Sequence, residues 1–230
     1  MTGTISHLAI PAALFLGLHF LVAGTGLRAA IVGALGARTY LGLFAALSLA
    51  SFVWLILAYR DAPAAPVWYL PQLAWVALVL MPFALLGALA AYTTKPALAA
   101  AAADAATGGE ARAVGIFAVT RHPFLWSVAL WAGAHLLVRG DVASLIFFGS
   151  FLALGLIGAR RADAKKRAGD AEAWRRLAAA TSNAPFAAIA GGRARLSLAE
   201  LGWWRLAVAA ALYAGLLLAH GRVFGTAILT

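Results

Sequence analysis

The sequence predicts an all-α polytopic membrane bundle of about six transmembrane helices, with both termini on the outer side. Three observations predict it. The 230 residues are 64% hydrophobic and only 11% charged, whereas a soluble domain is about 45–50% apolar and about 25% charged. Apolar stretches recur that approach or reach the roughly 20 residues needed to cross a bilayer as helix. Basic residues gather in alternate connections, as a fixed membrane orientation requires. A mean hydropathy of +0.90 leaves too little polar surface for water, so lipid must solvate the excess.

The spans read, in order, as 5–24, 40–59, 71–94, 122–138, 142–160 and 204–221. The first has no basic n-region and exceeds the usual signal-peptide core of about 7–15 residues, so it reads as a span. Pro82 is expected to kink the third. The fourth is the shortest and carries His122 and His135. A soluble six-helix bundle would need polar outer faces, which these segments lack. The whole of 1–230 reads as one transmembrane domain, without repeats.

Fifteen of the 18 basic residues lie in the connections after spans one, three and five. Arg60, Arg139 and Arg222 are the exceptions. The odd connections therefore face the cytoplasm. The formal charge of +10 is topology and contact with anionic lipid, not nucleic-acid binding. The longest polar stretch, 161–203, reads as a basic cytoplasmic extension or interfacial helix. It is interrupted at Asn183-Ala184-Pro185, because proline and its predecessor disfavour helix. The Ala-rich 96–110 reads as a surface helix or loop, and 62–68 as an outer turn with an aromatic anchor.

With no cysteine, disulfides, thiolate metal sites and cysteine nucleophiles are excluded. Asp61, Asp104, Glu110, Asp141, Asp163, Asp170, Glu172 and Glu200 all read as lying in loops or at span ends, which argues against buried-acid proton relays and paired-carboxylate hydrolysis. Histidine differs. His19 lies within span one and His135 within span four; His122 opens span four, and His7 and His220 lie near the outer surface. A buried neutral imidazole can hydrogen-bond between helices or bind a metal. Without thiolates or buried acids, a histidine-bound metal suggests haem, which needs one or two axial ligands.

His122 and His135 are 13 residues apart, about 20 Å along a helix, so they cannot share one iron. Either can pair with His19. Depth along the spans favours His122, since His19 and His135 differ by roughly 15 Å at 1.5 Å per residue. In the tract GIFAVTRHPFLWSVALWAGAHLLVRGD, Thr120-Arg121-His122-Pro123 starts a helix at the inner surface, with proline in the first turn. Arg121 and Arg28 each have two readings: snorkelling to lipid phosphate, or pairing with an anionic ligand group such as a haem propionate. Trp126 and Trp131 read as packing or interfacial anchors.

Three tracts resemble the NnrU-like membrane proteins, which include 15-cis-zeta-carotene isomerase: GLHFLVAGTGLR, GARTYLGLFAALSLASF and TRHPFLWSVALWAGAHLLVRGDVASLIFFG. The resemblance covers roughly residues 10–186. It implies haem b in the isomerase branch, with ligand and catalytic histidines at His19 and His135. The histidine of the RHP motif falls on His122, which the family does not use as a principal ligand. A cysteine found three residues before the second ligand in plant isomerases is Ala132 here, which removes ligand exchange through that cysteine.

Three functions compete. The first is a haem-dependent cis–trans isomerase of a carotenoid-like polyene dissolved in membrane lipid. The second is an S-adenosylmethionine-dependent membrane methyltransferase of the isoprenylcysteine type. Its RHP helix start, downstream acid and aromatic are echoed by Glu172, Trp174 and Pro185, but its paired glutamates and tyrosines are missing. The third is a non-enzymatic haem protein accessory to denitrification and nitric oxide metabolism. The expected location is a bacterial inner membrane.

Overall fold

The computed structural model describes residues 3–94 and 112–224. The stretch 96–110 lies outside the described residues. Among the described residues, six helical passes run in alternating directions. Helix α1 (Ile5–Gly17) begins at Thr4, whose Oγ1 accepts from the His7 amide at 3.0 Å, and continues directly into a π-turn, Leu18–Val22. A short helix that the sequence reading did not expect, α2 (Leu27–Leu35), precedes α3 (Ala37–Asp61). Gly36 joins them at φ +81°, a conformation that disfavours a side chain. Strand β1 (Pro66–Tyr69) and a 3-10 turn lead into α4 (Ala74–Thr93). One turn of helix, α5 (Ile116–Val119), precedes α6 (Pro123–Val138), strand β2 (Arg139–Asp141) and α7 (Val142–Gly169). Then come α8 (Ala171–Ala180), the single turns α9 (Ala187–Ala190) and α10 (Leu198–Leu201), and α11 (Trp203–Phe224).

The chain is an integral membrane protein of the all-α class. Ile5–Val22, Ala37–Asp61, Pro71–Thr93, Val142–Gly169 and Trp203–Val223 are long and apolar enough to cross a bilayer. The sixth pass, α6, has 16 residues. The expected span limits agree within three residues except at the end of α7, which runs on to Gly169. Leu21, Leu49, Trp75, Phe83 and Leu218 stay exposed on the outside, as lipid contact allows.

α6 is packed between α4 and α7. Small residues permit the approach, since between membrane helices packing replaces the hydrophobic drive. A Cβ on Gly155 would come within 2.6 Å of the Leu125 carbonyl, and one on Gly87 within 2.4 Å of Ser127 Oγ. The main core joins α1, α3, α6 and α7 through Leu8, Ala12, Phe15, Leu55, Ala132 and Phe151. α11 packs on α4, which runs through Pro82 as one helix. Proline has no N–H, so the Leu78 carbonyl one turn back lacks its helical donor. The Tyr213 hydroxyl of α11 donates to that carbonyl at 2.9 Å.

At one end β1 and β2 pair antiparallel, with Trp68 opposite Gly140 and Tyr69 opposite Arg139. A Cβ at Gly140 would overlap the Trp68 indole. Asp141 caps α7 there: it accepts from the Ser144 amide at 2.9 Å, Ser144 Oγ at 2.8 Å and Arg139 Nε at 2.6 Å. Burial pushes the Asp141 carboxyl up, but these donors outweigh it and hold the group below the usual carboxylate range. The opposite, basic end holds α2, α5 and α8–α10.

Candidate functional site

His19 lies in the π-turn that ends the first pass. Such widened turns recur at functional sites, because they displace a side chain from the helical row. The His19 Nδ1–H donates to the Phe15 carbonyl at 2.8 Å. The ring packs on Phe15 at 4.5 Å and on Phe44 at 5.5 Å. His135, in the last turn of α6, repeats the arrangement, with Nδ1–H donating to the Trp131 carbonyl at 2.8 Å. A carbonyl can only accept, so the proton sits on Nδ1 in both rings and Nε2 keeps its lone pair. This is the tautomer in which imidazole binds a metal through Nε2. His135 stacks on Phe148 at 4.8 Å and meets Trp131 at 5.4 Å.

No direct ring contact joins His19 to His135 among the described residues. They are linked through Phe15, Phe151 and Trp131, with Phe15 and Trp131 each 5.3 Å from Phe151. Phe151 thus bridges Phe15 and Trp131. His19 lies one turn beyond Phe15 toward the basic end, and His135 one turn beyond Trp131 the other way. Each histidine is thus displaced from that neighbour by about 6 Å along its helix, in opposite directions, at 1.5 Å per residue. The ring that faces His135 is His220 of α11, with centroids 6.5 Å apart and planes inclined by 22°. This contact joins residues 85 positions apart, whereas the sequence places His220 only near the outer surface. His7, by contrast, accepts from the exposed Trp54 indole at 3.2 Å.

His122 belongs to a different constellation, at the basic end. It is buried just before α6, and its Nε2 lies 2.5 Å from Asp163 Oδ1. Arg121 Nε approaches the same oxygen at 3.4 Å. Asp163 Oδ2 accepts from Asn183 Nδ2 at 2.8 Å, and Asn183 Oδ1 accepts from the Trp126 indole at 3.3 Å. Thr120 Oγ1 donates to the Asn183 carbonyl at 2.6 Å, and Arg121 donates to Thr181 Oγ1 at 3.2 Å. Burial pulls the His122 imidazole below its usual range, with the Asp163 contact opposing. Burial likewise lowers Arg121, which Asp163 opposes; a guanidinium remains charged.

The reading that every carboxylate lies in a loop or at a span end is corrected here. Asp163 is only 9% exposed and sits within α7, because that helix continues past residue 160 and brings the acid against the start of α6. Trp174, within the basic 161–203 stretch, is buried, with the guanidiniums of Arg121 and Arg167 over its ring at 4.8 and 5.4 Å. Arg28 lies elsewhere, 5.5 Å over the Tyr40 ring. Glu172 pairs with Arg176 at 2.8 Å on the exposed face of α8.

Sequence reasoning missed Asp163, Asn183 and Thr181 as members of one cluster. The available signal was the helical spacing of Arg160, Asp163 and Arg167 directly after an apolar span. Among the described residues, no group of three or more His, Asp or Glu side chains converges as a bare metal site. Haem iron needs only one or two axial side chains.

Fold and side chains together define a polytopic helical membrane protein with imidazoles inside its apolar bundle. The NnrU protein family model matches residues 7–228, nearly the whole chain, and the chain belongs to that family. Comparison with curated proteins and with solved structures finds no match.

Proposed function

We propose that this NnrU-family member binds haem b in its membrane bundle and acts as a cis–trans isomerase of a carotenoid-like polyene. The observation that carries the reading is the tautomer shared by His19 and His135. Each gives its Nδ1 proton to a carbonyl one turn back and keeps Nε2 free. That is the donor chemistry of an axial imidazole, so the residues fit the group. Bound haem would supply an iron able to polarise a polyene double bond without net redox change.

The chain's own residues do the rest. Phe148 and Trp131 wall His135 with aromatic rings. The resemblance names His19 as the second ligand, whereas proximity in this conformation favours His220. His122 already commits Nε2 to Asp163. Arg28 has no carboxylate partner among the described residues and is left for an acidic group of the cofactor. An apolar wall with no acid at mid-depth suits a hydrocarbon substrate. Orientation by the basic end puts both termini outside a bacterial inner membrane.

Spectra of protein purified in detergent after haem-replete expression, with and without dithionite, test the cofactor. A Soret band is expected; its absence would remove haem from the proposal. His135→Ala is expected to abolish the low-spin spectrum. Parallel His19→Ala, His122→Ala and His220→Ala variants identify the second ligand; loss with His122→Ala alone contradicts the assignment. Conversion of 9,15,9′-tri-cis-zeta-carotene in a strain that accumulates it tests the reaction. Haem-loaded protein that leaves this polyene unchanged would turn the reading to a non-enzymatic haem protein of nitrogen-oxide metabolism.

A further inference from the structure

Arg160, Asp163, Ala164 and Arg167 share one face of the basic end of α7, where residues three and four apart are neighbours. That face looks across to Trp126 of α6 and to Asn183 and Ala184. Between them lies a cleft of about 530 Å³ lined by these residues. Asp163 would repel an anion were it unpaired, but both its oxygens are committed. Oδ1 faces His122 and Arg121, and Oδ2 accepts from Asn183. The charge of Arg121 matches that of Asp163.

Arg160 and Arg167 therefore leave the cleft with uncompensated positive charge. Arg160 makes no hydrogen bond or ion pair among the described residues. Arg167 is steadied by the Trp174 face at 5.4 Å, a contact that orients the guanidinium without using its N–H donors. Trp126 gives its indole N–H to Asn183, so the wall nearest the membrane is an aromatic ring with its polar atom occupied. Two guanidinium forks beside such a wall match the charge and geometry of phosphate.

We propose that this cleft is a phosphate-binding site, with Arg160 and Arg167 gripping the phosphate and Trp126 covering the less polar part of its carrier. A lipid headgroup and a soluble phosphate ester present the same chemistry. The site does not depend on haem, and the test reads no haem property.

Full-length protein in neutral detergent is titrated with short-chain phosphatidylglycerol, phosphatidylcholine and inorganic phosphate, and binding is followed by native mass spectrometry and thermal melting. Wild type is expected to bind phosphatidylglycerol in preference to phosphatidylcholine. The Arg160→Gln/Arg167→Gln variant should bind it about tenfold more weakly or worse, since each lost contact is charge-assisted. Arg160→Lys/Arg167→Lys should retain an intermediate affinity, and Arg38→Gln/Arg60→Gln wild-type affinity. Both altered arginines are exposed, and an unchanged melting point without ligand establishes that their variants fold. Competition by millimolar phosphate assigns the site to phosphate alone; binding of phosphatidylglycerol without competition assigns it to a lipid headgroup. Equal affinity in wild type and Arg160→Gln/Arg167→Gln overturns the site, as does binding of neither phosphatidylglycerol nor inorganic phosphate above zwitterionic phosphatidylcholine.

Discussion

Tyr213 shows how one polar atom answers another inside a membrane bundle. Pro82 deprives the Leu78 carbonyl of its helical donor, and the Tyr213 hydroxyl fills the place. Water is scarce at that depth, so an unpaired carbonyl is costly. Tyr213→Phe keeps the ring and removes only the donor. It is expected to lower stability by about 1 kcal/mol, the net worth of one hydrogen bond, seen as a lower melting temperature in detergent. An unchanged melt would mean that Leu78 finds another donor. The same residue-level economy explains what the sequence concealed. His135 was legible as an intramembrane imidazole because its neighbours in the chain are apolar. Its partner His220 was not, since only the packing of α11 brings that ring within 6.5 Å. Asp163 looked like a loop acid because charged neighbours follow it; its burial comes from His122 and Asn183, 41 and 20 positions away.

Element by element, the spans were the legible part, since roughly 20 apolar residues have few alternatives to a transmembrane helix. The short α2 was hidden because Arg28, Arg38 and several glycines break the apolar run on either side. β1 and β2 are too brief to carry an alternating pattern, and their pairing is tertiary. Asp141 ties β2 to α7, and its depressed folded-state pKa sets a sign for acid stability. A carboxyl held below its unfolded value of about 3.9 stabilises the fold above that pH, and the contribution disappears as pH falls through the folded value. Melts between pH 6 and pH 3 should therefore show a destabilisation on acidification that is shallower in Asp141→Asn. Loss of the charged cap should also cost that variant about 1 kcal/mol at neutral pH. Identical pH profiles for the two proteins would assign the acid response to other groups.

For the whole molecule, the alternating passes and the concentration of Arg and Lys at one end make a single topological prediction. Single cysteines placed at the exposed Thr4, Asp61 and Asp170 can be probed in a chain with no cysteine of its own. A membrane-impermeant maleimide applied to intact cells is expected to label positions 4 and 61, but to label 170 only after permeabilisation. Labelling of 170 in intact cells would invert the bundle.

The shortness of α6 bears on how the protein is made. At 16 residues it extends about 24 Å, less than the roughly 30 Å hydrocarbon layer. A helix of that length is a poor candidate for stable partition on its own as it leaves the ribosome. Only Arg139, Gly140 and Asp141 separate it from α7, which is 28 residues long. The two are thus built to enter the membrane as a helical hairpin, the longer limb carrying the shorter, with α4 already in place to receive it. Biogenesis of the central layer then hinges on a tripeptide.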